Sequence, residues 1–223
     1  MKRSEINEFI ADAVAFFDSH GYHLPPFAHW SPDDWQTKGP EADEIRRCRL
    51  GWDLTDFGSG DFLKVGLLLF TVRNGNHADP GNPKTYAEKA MIVREGQVTP
   101  WHFHGGKMED IINRGGGNLV IDLCSTDEKG AQIDAEVTVS TDGVKRTVPA
   151  KGTVILTPGE SITLTRGLSH QFYGEKGKGK VFVGEVSSVN DDETDNFFIP
   201  PIGRFPDIEE DQPPLHLLCT EYP

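Results

Sequence analysis

The stretch GQVTPWHFHGGKMEDIINRGGG, residues 96–117, places two imidazoles and a carboxylate close together within a run of strand-forming residues. Side chains two residues apart on a β-strand point to the same face, so His102 and His104 should project together. Gly105-Gly106 can form a tight hairpin turn. This turn predicts that Glu109 lies on the returning strand, opposite the two histidines.

A third imidazole, His170, lies in SHQFYG on a later predicted strand. Three neutral imidazoles and one carboxylate suit a divalent first-row metal such as Mn, Fe, Co, Ni or Zn. Histidine pairs of this spacing also occur on exposed strands, and the glutamate and glycines that follow favour the metal interpretation. The remaining histidines are predicted to lie at the surface: His20, His23, His29, His77 and His216.

The chain on both sides of this stretch is a succession of short segments rich in β-branched residues and bounded by Gly, Asp, Asn or Pro. Candidate strands cover residues 62–72, 89–95, 98–104, 109–113, 118–124, 133–140, 144–150, 152–158, 161–167, 169–174 and 181–188. Many short strands with turn signals are typical of an antiparallel sandwich or barrel. The sequence therefore predicts an all-β fold.

Three regions are predicted within one structural domain. Residues 1–60 are a helical extension whose apolar stripe, including Ile6, Ile10 and Ala13, packs on the barrel. Residues 61–190 form the barrel with the metal site, and residues 191–223 form a proline-rich extended arm. The apolar extension and the many edge strands of such a barrel favour a homodimer.

The composition limits the classes of partner and substrate that we expect the protein to bind. The chain has 223 residues, with 22 Lys and Arg against 35 Asp and Glu, for a formal net charge of −13. This field repels nucleic acid and anionic membranes and disfavours an anionic substrate. No apolar run reaches the roughly 18 residues of a spanning helix, and acidic residues interrupt any N-terminal signal segment. Cysteines at 48, 124 and 219 form no disulfide framework, so a cytoplasmic protein is expected.

The spacing of the opening stretch resembles the first motif of the cupin superfamily, and a second motif is matched in part. The first comprises Gly96, His102, His104, Glu109 and Gly116, and the second Gly152, Pro158 and Gly159. Most of the chain also resembles the D-lyxose isomerase (D-lyxose ketol-isomerase) family of cupins. The resembling stretches are residues 44–58, 66–75, 86–119, 167–174, 184–198 and 217–223.

The resemblance implies a cupin barrel, that is, a double-stranded β-helix or jelly roll, with His102, His104, Glu109 and His170 as metal ligands. It implies Mn²⁺ as the usual activating ion. It also implies a free monosaccharide as substrate, with interconversion of D-lyxose and D-xylulose and a side activity on D-mannose and D-fructose.

An aldose–ketose isomerase needs a base near the carbon that loses its proton and a cation near the oxygens. In the strand VFVGEVSS, Glu185 shares a face with Val181 and Val183. Either that face is internal and Glu185 is the base, or the other face is the core and Glu185 is solvated; the resemblance favours the base. Lys107 points inward if the strand of Glu109 already includes it, and is otherwise an exposed turn lysine.

Three further residues are candidates for contacts with sugar hydroxyls: Asp192, Lys89 and Arg204. Asp192 comes from an acidic loop with Asp191, Glu193 and Asp195, any of which is an alternative to Glu185 as the base. Other functions stay open at this point. A cupin iron dioxygenase uses the same ligand set, a phosphosugar isomerase needs a basic pocket, and a non-catalytic cupin binds sugar without turnover.

Overall fold

Two antiparallel sheets face each other across an apolar interior in a computed structural model that describes residues 1–79, 81–192 and 194–223. The larger sheet has the strand order β1-β2-β3-β12-β5-β10-β7-β8, and the smaller has the order β13-β4-β11-β6-β9. Apolar side chains from both sheets, among them Leu69, Val183 and Phe172, fill the space between them. This arrangement confirms the predicted all-β cupin barrel.

The elements have the following bounds. The helices are α1 (Arg3–Ser19), α2 (Pro32–Gln36) and α3 (Asp43–Arg47), with 3₁₀ turns at Pro26–His29 and Pro40–Ala42. The strands are β1 (Gly51–Thr55), β2 (Leu67–Arg73), β3 (Tyr86–Val93), β4 (Thr99–Phe103), β5 (Glu109–Gly116), β6 (Leu119–Cys124), β7 (Val137–Thr141), β8 (Val144–Val148), β9 (Gly152–Leu156), β10 (Ser161–Leu164), β11 (Ser169–Gly174), β12 (Val181–Ser188) and β13 (Phe197–Phe198).

Each of the candidate strands corresponds to an observed strand, but two observed strands were not predicted. The segment assigned to a helical extension contributes β1 to the edge of the larger sheet, where it pairs with β2. Every residue of β1 is buried, so it lacks the in–out alternation that marks a strand in sequence. The extended arm contributes β13, which pairs with β4 through Phe197 and Phe198.

The predicted hairpin between β4 and β5 is wrong. These two strands belong to different sheets, so the chain crosses from one wall of the barrel to the other at Gly105-Gly106. A glycine pair permits either path, because it places no steric limit on the backbone. Glu109 consequently faces the histidines from the opposite sheet instead of from a neighbouring strand.

Helix α1 packs on the outer face of the larger sheet, as its apolar stripe predicts. Ile6, Ile10 and Phe17 are fully buried against a second apolar cluster that includes Phe70 and Phe182. The buried Arg3 guanidinium forms ion pairs with Glu210 and Glu221, which ties the start of the helix to the arm. In the part of the chain that the structure describes, no helix is long and apolar enough to cross a membrane.

Steric constraints explain why the motif has a glycine at position 116. Its φ of +85° lies in the left-handed region, which side-chain-bearing residues rarely adopt. A Cβ atom there would also lie 2.3 Å from the carbonyl oxygen of Lys180. A glycine at this position therefore lets β5 pass close to the start of β12.

We predict that Ile10→Ala lowers the free energy of unfolding by about 2–5 kcal/mol, because it opens a cavity under α1. The matched control is Glu8→Ala on the exposed face of the same helix, expected to change stability by less than about 0.5 kcal/mol. Urea denaturation measures both. Equal effects of the two substitutions would mean that α1 does not bury this stripe.

Candidate metal centre and active site

The four predicted ligands converge from both sheets. On the smaller sheet His170 of β11 is paired with His102 of β4, and His104 follows directly after β4. One ring nitrogen from each of the three histidines lies within 4.8 Å of the others. From the larger sheet, Glu109 Oε1 approaches to 3.5 Å from His104 Nε2 and 3.3 Å from His170 Nε2.

Backbone carbonyls fix the tautomer of all three rings. His102 Nδ1 lies 2.8 Å from the oxygen of Pro100, His104 Nδ1 3.0 Å from that of Asp195, and His170 Nδ1 3.0 Å from that of Leu168. A carbonyl oxygen only accepts, so each Nδ1 carries a proton, and Nε2 is the ring nitrogen left to bind an ion. This is the arrangement that orients metal-binding histidines.

The donor set fits a divalent cation in charge as well as in direction. Burial, with His170 and His104 nearby, holds the pKa of His102 well below its ordinary value, so that ring is neutral. Burial opposes ionisation of Glu109, but Lys107 and His104 together hold the pKa of its carboxyl well below the ordinary value. His170 Nε2 is a buried atom without a hydrogen-bond partner in the described part of the chain. Three imidazole nitrogens and one carboxylate oxygen suit a first-row divalent ion.

Lys107 links this donor set to the candidate base. Its Nζ lies 2.7 Å from Glu109 Oε2 and 2.8 Å from Glu185 Oε1. Burial disfavours the ammonium, but the two carboxylates more than offset it and raise the pKa of Lys107 above its ordinary value. The side chain is 3% exposed, so the alternative of an exposed turn lysine is wrong.

Glu185 lies on the internal face of β12, opposite Lys89 of β3. Lys107 Nζ, Ser187 Oγ at 3.0 Å and Lys89 Nζ at 3.4 Å all contact Oε1. The hydrogen bonds that Glu185 accepts from described residues all fall on that oxygen, and Glu185 is one of the residues that line the cleft. Burial opposes ionisation, but Lys107 and Lys89 lower the pKa of Glu185, so the group is a carboxylate at neutral pH.

The predicted hydroxyl-binding residues lie at the same cleft. Arg204 of the arm forms an ion pair with the buried Asp53 of β1 and lies 3.4 Å from Asp192. Although burial favours the neutral acid, Arg204 and Lys89 hold the pKa of Asp192 well below its ordinary value. Eight of the nine predicted site residues line this cleft, and the ninth, His170, contacts Glu109.

Two asparagines that no sequence pattern singled out position Lys89. Asn190 Oδ1 accepts from Lys89 Nζ at 2.7 Å, and Asn190 Nδ2 donates to Asp192 at 2.9 Å. Asn74 holds the backbone of Asn190 from both sides, accepting from its amide and donating to its carbonyl, each at 2.9 Å. The contacts of Asn190 with Lys89 and Asn74 join residues more than a hundred positions apart, so no local pattern could have indicated them.

Asp195 has a positioning role that its place in an acidic loop did not reveal. Its carboxylate accepts from the amides of Gly106 and Lys107 at 2.6 and 2.9 Å, and its carbonyl accepts from His104 Nδ1. One residue thus holds the crossing between the sheets, a metal-ligand candidate and the backbone of the buried lysine. Glu193, another acid of that loop, lies outside the described residues.

Comparison with known proteins gives a match along the whole chain. The profile of a family described as D-lyxose isomerase matches residues 1–222. A D-lyxose/D-mannose isomerase of Serratia proteamaculans is 51% identical over 223 residues, covering 100% of this chain and 98% of the relative. A protein of the same description from Escherichia coli O157:H7 is 49% identical over 223 residues, again covering 100% of this chain and 98% of the relative.

Among solved structures, the similar chains include L-ribose isomerases. That of Cellulomonas parahominis with L-ribose has a TM-score of 0.58 and 17% identity, covering 89% of this chain and 93% of the other. That of Geodermatophilus obscurus has a TM-score of 0.60 and 17% identity, covering 89% and 92%. At this identity the likeness shows the fold alone.

We predict that the metal-free protein binds one Mn²⁺ per chain and that His104→Ala or Glu109→Ala weakens this binding at least tenfold, because each removes a converging donor. The control is His77→Ala, an exposed loop histidine, which should bind as the unaltered protein does. Calorimetric titration with MnCl₂ measures the affinities. Unchanged binding in both donor variants would show that the ion is not held here.

Proposed function

Because the chain belongs to the D-lyxose isomerase family, we propose that it is a metal-dependent aldose–ketose isomerase that interconverts D-lyxose and D-xylulose, with D-mannose and D-fructose as a second pair. One observation carries the chemistry: a carboxylate fixed by an ammonium, Glu185 with Lys107, lies beside the His102, His104, Glu109 and His170 donor set. The names of the full-length relatives support the choice of sugars.

The reaction moves a proton between two adjacent carbons of an open-chain sugar through an enediolate. The donor set would hold a divalent cation, which supplies polarisation of the carbonyl and stabilisation of negative charge on the sugar oxygens. From the family resemblance, we propose manganese as the activating ion and a homodimer as the assembly.

Glu185 is the base in this proposal. Glu185 lines the cleft, and Lys107 and Ser187 hold its Oε1, so we assign the proton transfer to Oε2. From the aldose, Oε2 takes the proton of C2 and returns it to C1, while the hydroxyl proton of O2 passes to O1. Atoms and charge balance, since the carboxylate ends the cycle unprotonated. The lowered pKa of Glu185 keeps it in the basic form at neutral pH.

Lys107 is a charge stabiliser and not a second base, because its raised pKa keeps it an ammonium. The ionised groups of the described cleft and its border are four carboxylates and three cations: Glu109, Glu185, Asp192 and Asp53 with Lys89, Lys107 and Arg204. Their net charge of −1 becomes +1 with a divalent ion, a sign that favours an anionic enediolate.

The ion pairs between the cations and carboxylates of the cleft also support an unphosphorylated substrate. Each cation that lines the described cleft, Lys89, Lys107 and Arg204, already contacts a carboxylate. A phosphate group would have to compete with those carboxylates for its counter-charge. A neutral sugar, which needs hydrogen bonds but no counter-ion, suits the cleft better.

The experiment that tests this function is a panel of free aldoses and ketoses incubated with the Mn²⁺-loaded protein, in air and without oxygen. We expect D-lyxose to yield D-xylulose and D-mannose to yield D-fructose at the same rates in both atmospheres, and metal removal with a chelator to abolish both. Chromatography of the products measures conversion. Conversion that requires oxygen would indicate the dioxygenase, and sugar binding without conversion would indicate a non-catalytic cupin.

We predict that Glu185→Gln lowers kcat on D-lyxose by about 10²–10⁴-fold, because the amide cannot accept the carbon-bound proton, while Mn²⁺ content stays unchanged. The matched control is Glu88→Gln on the neighbouring strand, whose carboxylate pairs with Arg73. Steady-state kinetics and elemental analysis measure turnover and metal. Normal turnover by Glu185→Gln would reassign the base.

A further inference from the structure

Buried polar atoms without partners are rare in folded proteins, and each calls for an explanation. In the described chain three side-chain atoms are of this kind: Arg94 Nη1, Thr99 Oγ1 and His170 Nε2. Arg94 lies away from the cleft, where another of its nitrogens contacts Asp12 of α1. The other two belong to one wall, since His170 and Thr99 lie on the paired strands β11 and β4.

A β-bulge brings Thr99 to the interior. On β11, His170 and Phe172 are two positions apart, whereas their partners on β4, His102 and Thr99, are three positions apart. The extra residue in β4 changes the alternation of side chains, so Thr99 and His102 both line the cleft. Bulges of this kind frequently re-aim a side chain beside an active site.

Burying the hydroxyl of Thr99 without a hydrogen-bond partner costs free energy. Thr99 is 3% exposed, its partner across the strand pair is Phe172, and the cleft that it lines also has Leu69 and Met91 in its wall. Valine has the same shape and would fill this apolar position without burying an unpaired polar group. The orphaned nitrogen of His170 is explained by a bound cation, and the hydroxyl of Thr99 needs a ligand of its own.

We infer that Thr99 Oγ1 binds a hydroxyl group of the sugar that is remote from the two reacting carbons, which makes Thr99 a specificity-determining residue. The inference rests on the proposed function. Two rungs of strand pairing, about 6.6 Å, separate Thr99 from His102. A sugar whose reacting carbons lie at the histidines would therefore extend its remaining carbons toward Thr99 along the same wall.

The chemistry of the two groups matches. A threonine hydroxyl both donates and accepts, and so does each hydroxyl of a sugar. A site that hydrogen-bonds a substrate hydroxyl discriminates against the analogue that lacks it, because the protein group is then left unpaired. Thr99 would therefore select sugars that carry a hydroxyl at one fixed position of the chain.

The test compares the Mn²⁺-loaded protein with Thr99→Val and Thr99→Ser on D-lyxose and on its 3-deoxy, 4-deoxy and 5-deoxy analogues. We expect Thr99→Val to lower kcat/KM for D-lyxose about 3- to 10-fold, but to leave it unchanged for the one analogue that lacks the partner hydroxyl. Thr99→Ser should keep the discrimination of the unaltered protein. Because each variant is compared with the unaltered protein on the same analogue, differences between sugars in how readily the ring opens do not affect the comparison.

Stability separates this role from a structural one. In the metal- and sugar-free protein, Thr99→Val should leave Tm unchanged or raise it, since it removes an unpaired buried hydroxyl. The control Thr141→Val removes a buried hydroxyl that donates to the carbonyl of Val144, and should lower Tm without altering sugar discrimination.

Unaltered discrimination by Thr99→Val across all three analogues would overturn the inference, and so would a Tm loss equal to that of Thr141→Val. These outcomes are distinct from failure of the proposed function. In that case the unaltered protein would not isomerise D-lyxose at all.

Discussion

The ammonium of Lys107 is buried between two carboxylates, Glu109 and Glu185, which lie on the adjacent strands β5 and β12. Burying any one of these charges alone would cost several kcal/mol, and removing one partner leaves the others uncompensated. The three groups are therefore stable only together. Since Glu109 belongs to the proposed ion-binding set and Glu185 is the proposed base, the same ion pairs join the two halves of the proposed reaction site.

The barrel explains how such a cluster can exist in a protein of this composition. Histidines arrive from the smaller sheet and carboxylates from the larger, and the chain links the two walls at Gly105-Gly106 under the hydrogen bonds of Asp195. Apolar side chains from both sheets surround the cleft. Low polarity strengthens the attractions within the cluster and makes any unpaired group expensive, which is why the unpaired atoms on the β4–β11 wall carry information about ligands.

Sequence reasoning succeeded where a local pattern carried the signal. The His102-x-His104 spacing and the alternation of Val181, Val183 and Glu185 each reflect strand geometry, and the stripe of α1 reflects helical geometry. It failed where the structure depends on residues that are distant from one another in the sequence. β1 is buried along its whole length, Gly105-Gly106 permits a crossing as readily as a hairpin, and the roles of Asn190 and Thr99 depend on partners or a bulge that no window of sequence contains.

The arm has a consequence for synthesis of the protein. Arg204 compensates Asp53, and β13 covers the outer edge of β4, so both tasks fall to residues translated after the barrel. Nascent domains fold as the chain leaves the ribosome, N-terminal parts first. While the arm is still in the exit tunnel, the barrel has an open strand edge and an unneutralised acid, Asp53, beside its mouth. Emergence of the arm, and not closure of the sheets, is then the event that finishes the cleft.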